Sequence, residues 1–219
     1  MSRLRSRAPD MAFERDATRR GTLVAGMDEV GKGAWAGPLT VAVVVAGEGR
    51  LTGVRDSKAL SPERRAALVP RIAEWATAFG IGEATPEECD RLGMSEAQRR
   101  AAQRALAGLP VSPDTILVDG KWDFVGGAKT LVGGEQRSLS IAAASVLAKE
   151  HRDGRMRAMA DAVPWYDFAS NKGYPSPSHR AALHMVGPST VHRVSWGWVD
   201  DLPWEWESSA AQPVLPGLG

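Results

Sequence analysis

Two adjacent carboxylates follow the first apolar run of this chain. Asp28 and Glu29 come directly after the run 22–27 and just before a Gly-Lys-Gly turn at 31–33. Neighbouring residues of a β-strand point to opposite faces of the sheet. We therefore expect the backbone to leave the pleat at this pair, because the glycines supply that freedom and let a ligand approach closely. Taken alone, the pair is also compatible with an ordinary polar turn at the end of a strand.

A third carboxylate, Asp119, ends the apolar run 115–119 and is followed by Gly120. Open α/β sheets usually bind their ligands beyond the carboxyl ends of their strands. This position therefore predicts a functional acid, although a lone aspartate there is equally typical of a turn or a helix cap.

Carboxylates that gather at strand ends repel one another, by about 4 kcal/mol for two charges about 4 Å apart at an effective dielectric of about 20. A site with several of them either has raised pKa values or holds divalent cations. Zinc is not expected, because the chain contains one Cys and four His, none of which are at i,i+4 spacing. Oxygen ligands favour Mg²⁺ or Mn²⁺, and pairs of such ions commonly serve phosphoryl transfer.

The elements that must position these acids alternate between apolar, β-branched runs and capped helical stretches. The predicted strands are 22–27, 39–46, 78–83, 115–119 and 129–132. The predicted helices are 61–77, 85–107, 140–162 and 176–186. This order predicts an α/β fold with a mixed sheet, in which early antiparallel strands precede strands joined through helices.

The length of 219 residues and a hydrophobic content of 43% predict one folded domain over 21–202, with flexible tails at 1–20 and 203–219. The first tail is basic and rich in arginine. No apolar run is long enough for a membrane helix, no apolar signal segment follows the N-terminus, and the single cysteine excludes an internal disulfide. These features predict a cytoplasmic protein with no membrane partner, and we expect a monomer.

Six blocks of residues, in the same order along the chain, resemble the ribonuclease HII family, the type II ribonucleases H. The blocks are MDEVGKG (27–33) with AGP (36–38), DSK (56–58), VDG (118–120), IAAASVLAK (141–149) with RD (152–153), NKGYP (171–175), and GPS (187–189) with HR (192–193). Each block alone is weakly specific, but together they cover about 25–196, nearly the whole predicted domain.

The resemblance implies a ribonuclease H-like fold, with a mixed five-stranded sheet flanked by helices and a small C-terminal helical part. It implies an endoribonuclease that hydrolyses the RNA strand of RNA–DNA hybrids. It also implies incision on the 5′ side of single ribonucleotides embedded in duplex DNA, with 5′-phosphate products.

The resemblance further implies that four acids hold two Mg²⁺ or Mn²⁺ ions, and Asp28, Glu29 and Asp119 match three of these acids directly. The family has aspartate at the fourth position, where this chain has Glu135. The longer side chain extends the reach of the carboxylate by about 1.5 Å, which matters because Mg²⁺ requires near-ideal octahedral geometry. Asp153 is expected to support the site without binding the ions directly.

Substrate contacts are implied at three places. The turn Gly31-Lys32-Gly33 matches a Gly-Arg-Gly turn whose backbone contacts the ribose 2′-OH, the group that distinguishes RNA from DNA, and Lys32 replaces the arginine. Tyr174 matches a tyrosine that packs on the sugar after the ribonucleotide and helps to detect the RNA–DNA junction. The residues expected to contact phosphates are Lys58, Lys172 and Arg193.

Two other functions stay open at this point. The first is the type III ribonuclease H, which typically carries an added N-terminal substrate-binding domain. We expect no room for such a domain before the first strand. The second is a catalytically weakened protein that binds RNA–DNA hybrids without cleaving them, because Lys32 and Glu135 depart from the family pattern.

Overall fold

The computed structural model describes residues 8–17, 22–55 and 57–203. Asp56, from one of the six blocks, and the segments 1–7, 18–21 and 204–219 lie outside the described residues. Where one domain is expected over 21–202, the chain divides into two compact units. The first unit consists of residues up to 30 with 40–83 and 98–151, and the second of 31–39, 84–97 and 152 onward.

Five strands form one mixed sheet, as predicted. They are β1 (Val24–Val30), β2 (Leu39–Val45), β3 (Ala78–Ala84), β4 (Thr115–Asp119) and β5 (Lys129–Leu131). Their spatial order is β3-β2-β1-β4-β5. β1 pairs antiparallel with β2 and parallel with β4, and β4 pairs parallel with β5. The central position of β1 therefore places the ends of β1 and β4 side by side.

The described residues also form seven α-helices. They are α1 (Ala12–Ala17), α2 (Pro62–Trp75), α3 (Pro86–Leu92), α4 (Met94–Ala107), α5 (Leu139–Ala162), α6 (Phe168–Asn171) and α7 (Pro177–Val186). The predicted caps Ser61, Thr85 and Ser176 each accept an N–H of the first turn through their side-chain oxygen. The single helix predicted over 85–107 is wrong, because Gly93 adopts φ +75° and separates α3 from α4.

Helix α1 corrects the expectation of a flexible tail through residue 20. Its residue Glu14 is only 2% exposed. Oε1 of Glu14 accepts hydrogen bonds from the Ser138 hydroxyl at 2.6 Å, and from the amide and hydroxyl of Ser140 at 2.8 and 2.7 Å. This carboxylate satisfies an N–H at the start of α5, which has no intrahelical acceptor for it. Sequence reasoning missed the role because the partners of Glu14 are distant in the chain.

The start of α5 packs directly on β1 at Gly26. A Cβ at this position would lie 2.2 Å from the Ile141 nitrogen and 2.3 Å from the Ser140 carbonyl carbon, so only glycine permits this approach. The residues that follow, 142–144, are alanines with no exposed surface. The close packing fixes where the next turn of α5, with Ser145, meets the strand.

The second unit has an aromatic and methionine-rich core. Its buried members include Met156, Tyr166, Phe168, Leu183 and Trp198. In the described part of the chain, none of the helices has the length and apolar character needed to cross a membrane.

Candidate acidic site and nucleic-acid interface

The four predicted acids all lie in the first unit, on elements that meet at one end of the sheet. Asp28 and Glu29 are on β1, Asp119 ends β4, and Glu135 lies in a short 3₁₀ helix, Gly134–Gln136, after β5. The parallel register pairs the residues that precede Asp28 and Asp119. Strand pairing therefore places Asp28 and Asp119 at adjoining strand ends.

Asp28 is affected by the charges of the other three acids. Its side chain is buried, with 6% of the residue exposed. Burial raises the pKa of Asp28 well above its usual value, and the charge of Glu29 raises it further. A hydrogen bond with Ser145 opposes the shift, whereas the charges of Asp119 and Glu135 add to it. Asp28 is therefore the focus of a repulsive carboxylate cluster.

Hydrogen bonds from the protein hold two of the other acids. The amide of Gly134 donates to Asp119 Oδ1 at 2.7 Å, which ties the segment that carries Glu135 to the end of β4. The hydroxyl of Ser145 lies 3.2 Å from Glu135 Oε2 and 3.0 Å from the Ser57 hydroxyl. Glu135 is 8% exposed, so this departure from the family residue still places its carboxylate in the cluster.

Lys58 faces the same cluster. Its ammonium lies 3.8 Å from Glu135 Oε1, while 80% of its side chain is exposed. Most of this side chain is therefore in solvent, although its carboxylate partner is buried. Its predicted phosphate contact stays a prediction.

The backbone at the first two acids differs from the expectation. β1 keeps regular antiparallel register with β2 through Val30, with Asp28 opposite Ala42 and Glu29 opposite Val41. The chain therefore does not leave the pleat at the acids, and it turns only at Gly31. Consistent with opposite faces, Asp28 is buried while Glu29 is half-buried. The main-chain N–H of Glu29 donates to Asp28 Oδ1 at 2.8 Å.

The four acids have the chemistry of metal ligands but are not gathered around one point in this structure. Among the residues that the structure describes, no three His, Cys, Asp or Glu side chains are grouped closely enough to hold one ion together. Two of the acids bond protein donors instead, Asp119 the Gly134 amide and Glu135 the Ser145 hydroxyl. The chemistry of the set nevertheless fits hard divalent cations, because all four are carboxylates whose mutual repulsion a cation relieves.

The Gly31-Lys32-Gly33 turn lies in the second unit, where Lys32 and Gly33 are exposed. Arg193, which has no exposed surface, holds this turn from behind. Its Nη1 donates to the carbonyls of Gly31 at 2.8 Å and Lys32 at 3.2 Å, and its Nε and Nη2 donate to Gly37 O at 3.2 and 2.9 Å. The predicted phosphate contact of Arg193 is therefore wrong, because the guanidinium is buried on carbonyl acceptors and positions the turn.

Gly31 itself cannot be replaced without strain. Its φ is +89°, and a Cβ there would lie 2.2 Å from Arg152 Nε and 2.8 Å from the Pro38 carbonyl oxygen. Two buried arginines, Arg152 and Arg193, thus pack against the segment that contains the turn.

Arg152 also connects the turn segment with the loop of Lys172 and Tyr174 inside the second unit. It donates to the carbonyls of Pro38 at 2.8 Å, Ala36 at 3.0 Å and Lys172 at 2.8 Å. Its guanidinium carbon lies 5.4 Å from the ring centre of the half-buried Tyr174. The Lys172 ammonium donates to the carbonyl of Ala169. The substrate contacts expected of Lys172 and Tyr174 stay predictions.

Asp153 is 2% exposed on the part of α5 that belongs to the second unit. Its supporting role stays a prediction. The sequence analysis placed Ser145 in a segment of small residues that pack closely and Arg152 in a motif. It therefore missed the contacts that both side chains make. A serine inside an otherwise apolar helix face, and an arginine two turns further on, were the available signals.

Comparison with known proteins gives concordant results. The family model for ribonuclease HII matches residues 25–199. A ribonuclease HII from Streptomyces griseus is 50% identical over 194 residues, which is 85% of this chain and 82% of the relative. A ribonuclease HII from Thermus thermophilus is 43% identical over 190 residues, which is 84% of this chain and 91% of the relative.

Solved structures agree with the fold. A ribonuclease H2 from Pyrococcus horikoshii superposes with a TM-score of 0.68 at 25% identity, covering 82% of this chain and 96% of the other. A ribonuclease HIII crystallised with Mn²⁺ superposes with a TM-score of 0.61 at 19% identity. The match covers 80% of this chain and 67% of the other chain. The ribonuclease H-like fold that the sequence predicts is confirmed.

Proposed function

Because this chain belongs to the ribonuclease HII family and is a ribonuclease H, we propose that it also incises duplex DNA on the 5′ side of single embedded ribonucleotides. The proposed substrates are RNA–DNA hybrids and ribonucleotide-containing duplexes. The observation that carries the proposal is the placement of Asp28, Glu29 and Asp119 at the adjoining ends of β1 and β4, with the segment of Glu135 tied to Asp119 through the Gly134 amide.

The proposed catalytic residues are Asp28, Glu29, Asp119 and Glu135, which bind divalent cations. Two Mg²⁺ or Mn²⁺ ions bound by them would supply an activated water and stabilise the leaving 3′-oxygen. Asp28 must give up its proton to bind a cation, so its raised pKa makes binding dependent on pH. The Gly134 amide bonds Oδ1 of Asp119, and the proposed ligand atom of this acid is its other oxygen, so the bond is kept when an ion binds.

Recognition of the ribonucleotide is assigned to the exposed turn that follows Glu29 in the chain. A 2′-OH both donates and accepts hydrogen bonds, so the backbone groups of Gly31, Lys32 and Gly33 suffice to detect it. Arg193 fixes the carbonyls of Gly31 and Lys32, which pre-organises the turn. Because backbone atoms make the contact, Lys32 in place of arginine is compatible with this role.

Tyr174 is proposed to pack on the sugar after the ribonucleotide. Its half-buried ring lies against the Arg152 guanidinium, so its orientation is restricted before substrate arrives. Lys58 and Lys172 are proposed to contact phosphates, while Asp153 supports the site. The cytoplasmic location and the monomeric state stay predictions.

The decisive experiment uses a labelled DNA duplex with one ribonucleotide and a second duplex with a fully RNA strand. Incision 5′ to the single ribonucleotide, in the presence of Mg²⁺ or Mn²⁺, is the expected result. Tyr174→Ala should reduce cleavage of the first duplex more than that of the second. Cleavage of only the continuous RNA strand would refute the proposed specificity, and tight binding without cleavage in either metal would support the hybrid-binding alternative.

A further inference from the structure

Two buried histidines in the second unit have no part in the reaction described above. His179 on α7 has no exposed surface, and His192 is 3% exposed. Their Nε2 atoms lie 3.0 Å apart, so one of the two must carry a proton that the other accepts. Aromatic rings enclose the pair, with Tyr166 at 4.5 Å from the His192 ring centre and Phe168 at 5.3 Å from that of His179.

The partners of the other ring nitrogens determine which histidine donates. Nδ1 of His179 lies 2.9 Å from the carbonyl oxygen of Tyr174. A carbonyl only accepts, so this Nδ1 carries a hydrogen. A neutral imidazole has a single N–H, so Nε2 of His179 is an acceptor. His192 must then donate through its own Nε2.

The far side of His192 agrees with this assignment. His192 Nδ1 lies 2.9 Å from the backbone amide of Ser189, 3.0 Å from its hydroxyl and 3.3 Å from its carbonyl oxygen. The carbonyl oxygen already accepts from the His192 amide at 3.0 Å, whereas the Ser189 amide is a fixed donor at the shorter distance. We therefore assign Nδ1 as an acceptor, which leaves the hydrogen of neutral His192 on Nε2. Burial lowers the pKa of both histidines, and the charge of His179 lowers that of His192 further, to about 3. Both rings are thus neutral at physiological pH, and the hydrogen bonds run in one direction, from Ser189 through His192 and His179 to Tyr174.

We propose that His192 is a positioning residue, which acts through His179 to fix the backbone of Tyr174 and so sets the enzyme's preference for the RNA–DNA junction. This inference rests on the proposed role of Tyr174. The Tyr174 carbonyl accepts from His179 Nδ1 and from the Ser176 amide at 2.8 Å. The Tyr174 amide donates to the Asn171 carbonyl at 3.0 Å. Loss of the bond from His179 therefore leaves the Tyr174 carbonyl less restrained, while the hydrogen bond of the Tyr174 amide to Asn171 remains.

Two substitutions of His192 separate its contacts. In His192→Gln the side-chain amide nitrogen takes the place of Nε2 and still donates to His179. In His192→Asn the shorter side chain still accepts from Ser189 but does not reach His179. Both variants replace the ring by a neutral amide, so they are matched controls for the lost aromatic packing.

The test measures amide hydrogen exchange in the substrate-free variants. It also measures kcat/KM on the DNA duplex with one ribonucleotide and on the duplex with a fully RNA strand. His192→Asn should accelerate exchange at Ser176, whose amide donates to the Tyr174 carbonyl, more than at Tyr174, whose amide keeps the Asn171 acceptor. It should also lower the ratio of junction cleavage to hybrid cleavage by about tenfold or more, while His192→Gln stays within about threefold of the wild-type ratio. Equal loss on both substrates, or an unchanged ratio and unchanged exchange in His192→Asn, overturns the proposal.

A measurement on the wild-type protein keeps the inference testable if His192→Asn does not fold. Long-range ¹H–¹⁵N correlation spectra should show the hydrogen on Nε2 of His192 and on Nδ1 of His179, and the opposite tautomers would overturn the relay. If the wild-type enzyme does not cut at a single ribonucleotide, the proposed function fails. The exchange and tautomer data then still decide whether His192 controls the Tyr174 backbone.

Discussion

The amide of Gly134 donates to Asp119 Oδ1 at 2.7 Å, and this bond joins the end of β4 to the segment that carries Glu135. One carboxylate thus serves as a proposed ion ligand and as an anchor for its neighbour. The two roles can be separated, because an asparagine keeps the Oδ1 acceptor but removes the charge.

Asp119→Asn should therefore lower the cleavage rate by at least about a hundredfold while the protein keeps its thermal stability. Asp119→Ala should lose the same activity and in addition about 1–3 kcal/mol of unfolding free energy, because the Gly134 amide loses its acceptor. Steady-state cleavage and thermal unfolding without divalent cations check both results. Full activity of Asp119→Asn with Mg²⁺ would show that the ligand assignment is wrong.

Glu135→Asp tests the longer carboxylate of this chain. The shorter side chain draws the carboxylate back from Ser145 Oγ, which now lies 3.2 Å from Glu135 Oε2. We expect a changed ratio of Mg²⁺- to Mn²⁺-supported rates, because Mg²⁺ tolerates less deviation from octahedral geometry.

Glu135→Gln is the control for this comparison, since it keeps the length and removes the charge. It should lose activity with both ions. Identical metal titration curves for the wild type and Glu135→Asp would reject a role for side-chain length.

The sheet and most helices could be predicted because apolar periodicity and capping residues are local signals. The same holds for Asp28, Glu29 and Asp119, which follow visible strands. Glu14 could not be predicted as a buried cap of α5, because it takes this role only through hydrogen bonds to a serine far along the chain. Arg193 was assigned to phosphate because the sequence carries no sign of burial, whereas the fold surrounds its guanidinium with carbonyls.

The burial of Arg193 leads to a stability prediction. Arg193→Lys keeps the charge but cannot reach the carbonyls of Gly31, Lys32 and Gly37 together. We expect a loss of about 2–4 kcal/mol of unfolding free energy and weaker discrimination between RNA and DNA at the cut site. Arg157→Lys, at an exposed position of α5, is the matched control and should change neither. Denaturant unfolding gives the first quantity, and competition between ribose- and deoxyribose-containing duplexes gives the second.

Asp28 predicts an unusual pH dependence of the metal-free protein. Its folded pKa lies above the unfolded value of about 3.9, so the folded state binds more protons than the unfolded state between the two values. The contribution of Asp28 is therefore present at low pH and is lost as the pH rises through the folded pKa. Asp28→Asn should be more stable than the wild type at neutral pH. Divalent cations should reduce this difference in unfolding free energy, because they stabilise only the wild type. An Asp28→Asn protein that is less stable than the wild type at every pH would contradict repulsion between Asp28 and the neighbouring carboxylates.

The contribution of His192 to stability changes with pH in the opposite direction to that of Asp28. Its folded pKa of about 3 lies below the unfolded value of about 6.5, so the unfolded state binds the additional proton in that window. The stability that neutral, buried His192 contributes is complete above the unfolded pKa and is lost as the pH falls, by at most about 1.4 kcal/mol per pH unit. Between about pH 6 and about pH 4.5 the wild type should therefore lose about 2 kcal/mol more than His192→Gln does. Denaturant unfolding of both proteins at several pH values measures the difference directly, and parallel curves would mean that His192 is already charged in the folded protein or is exposed to water.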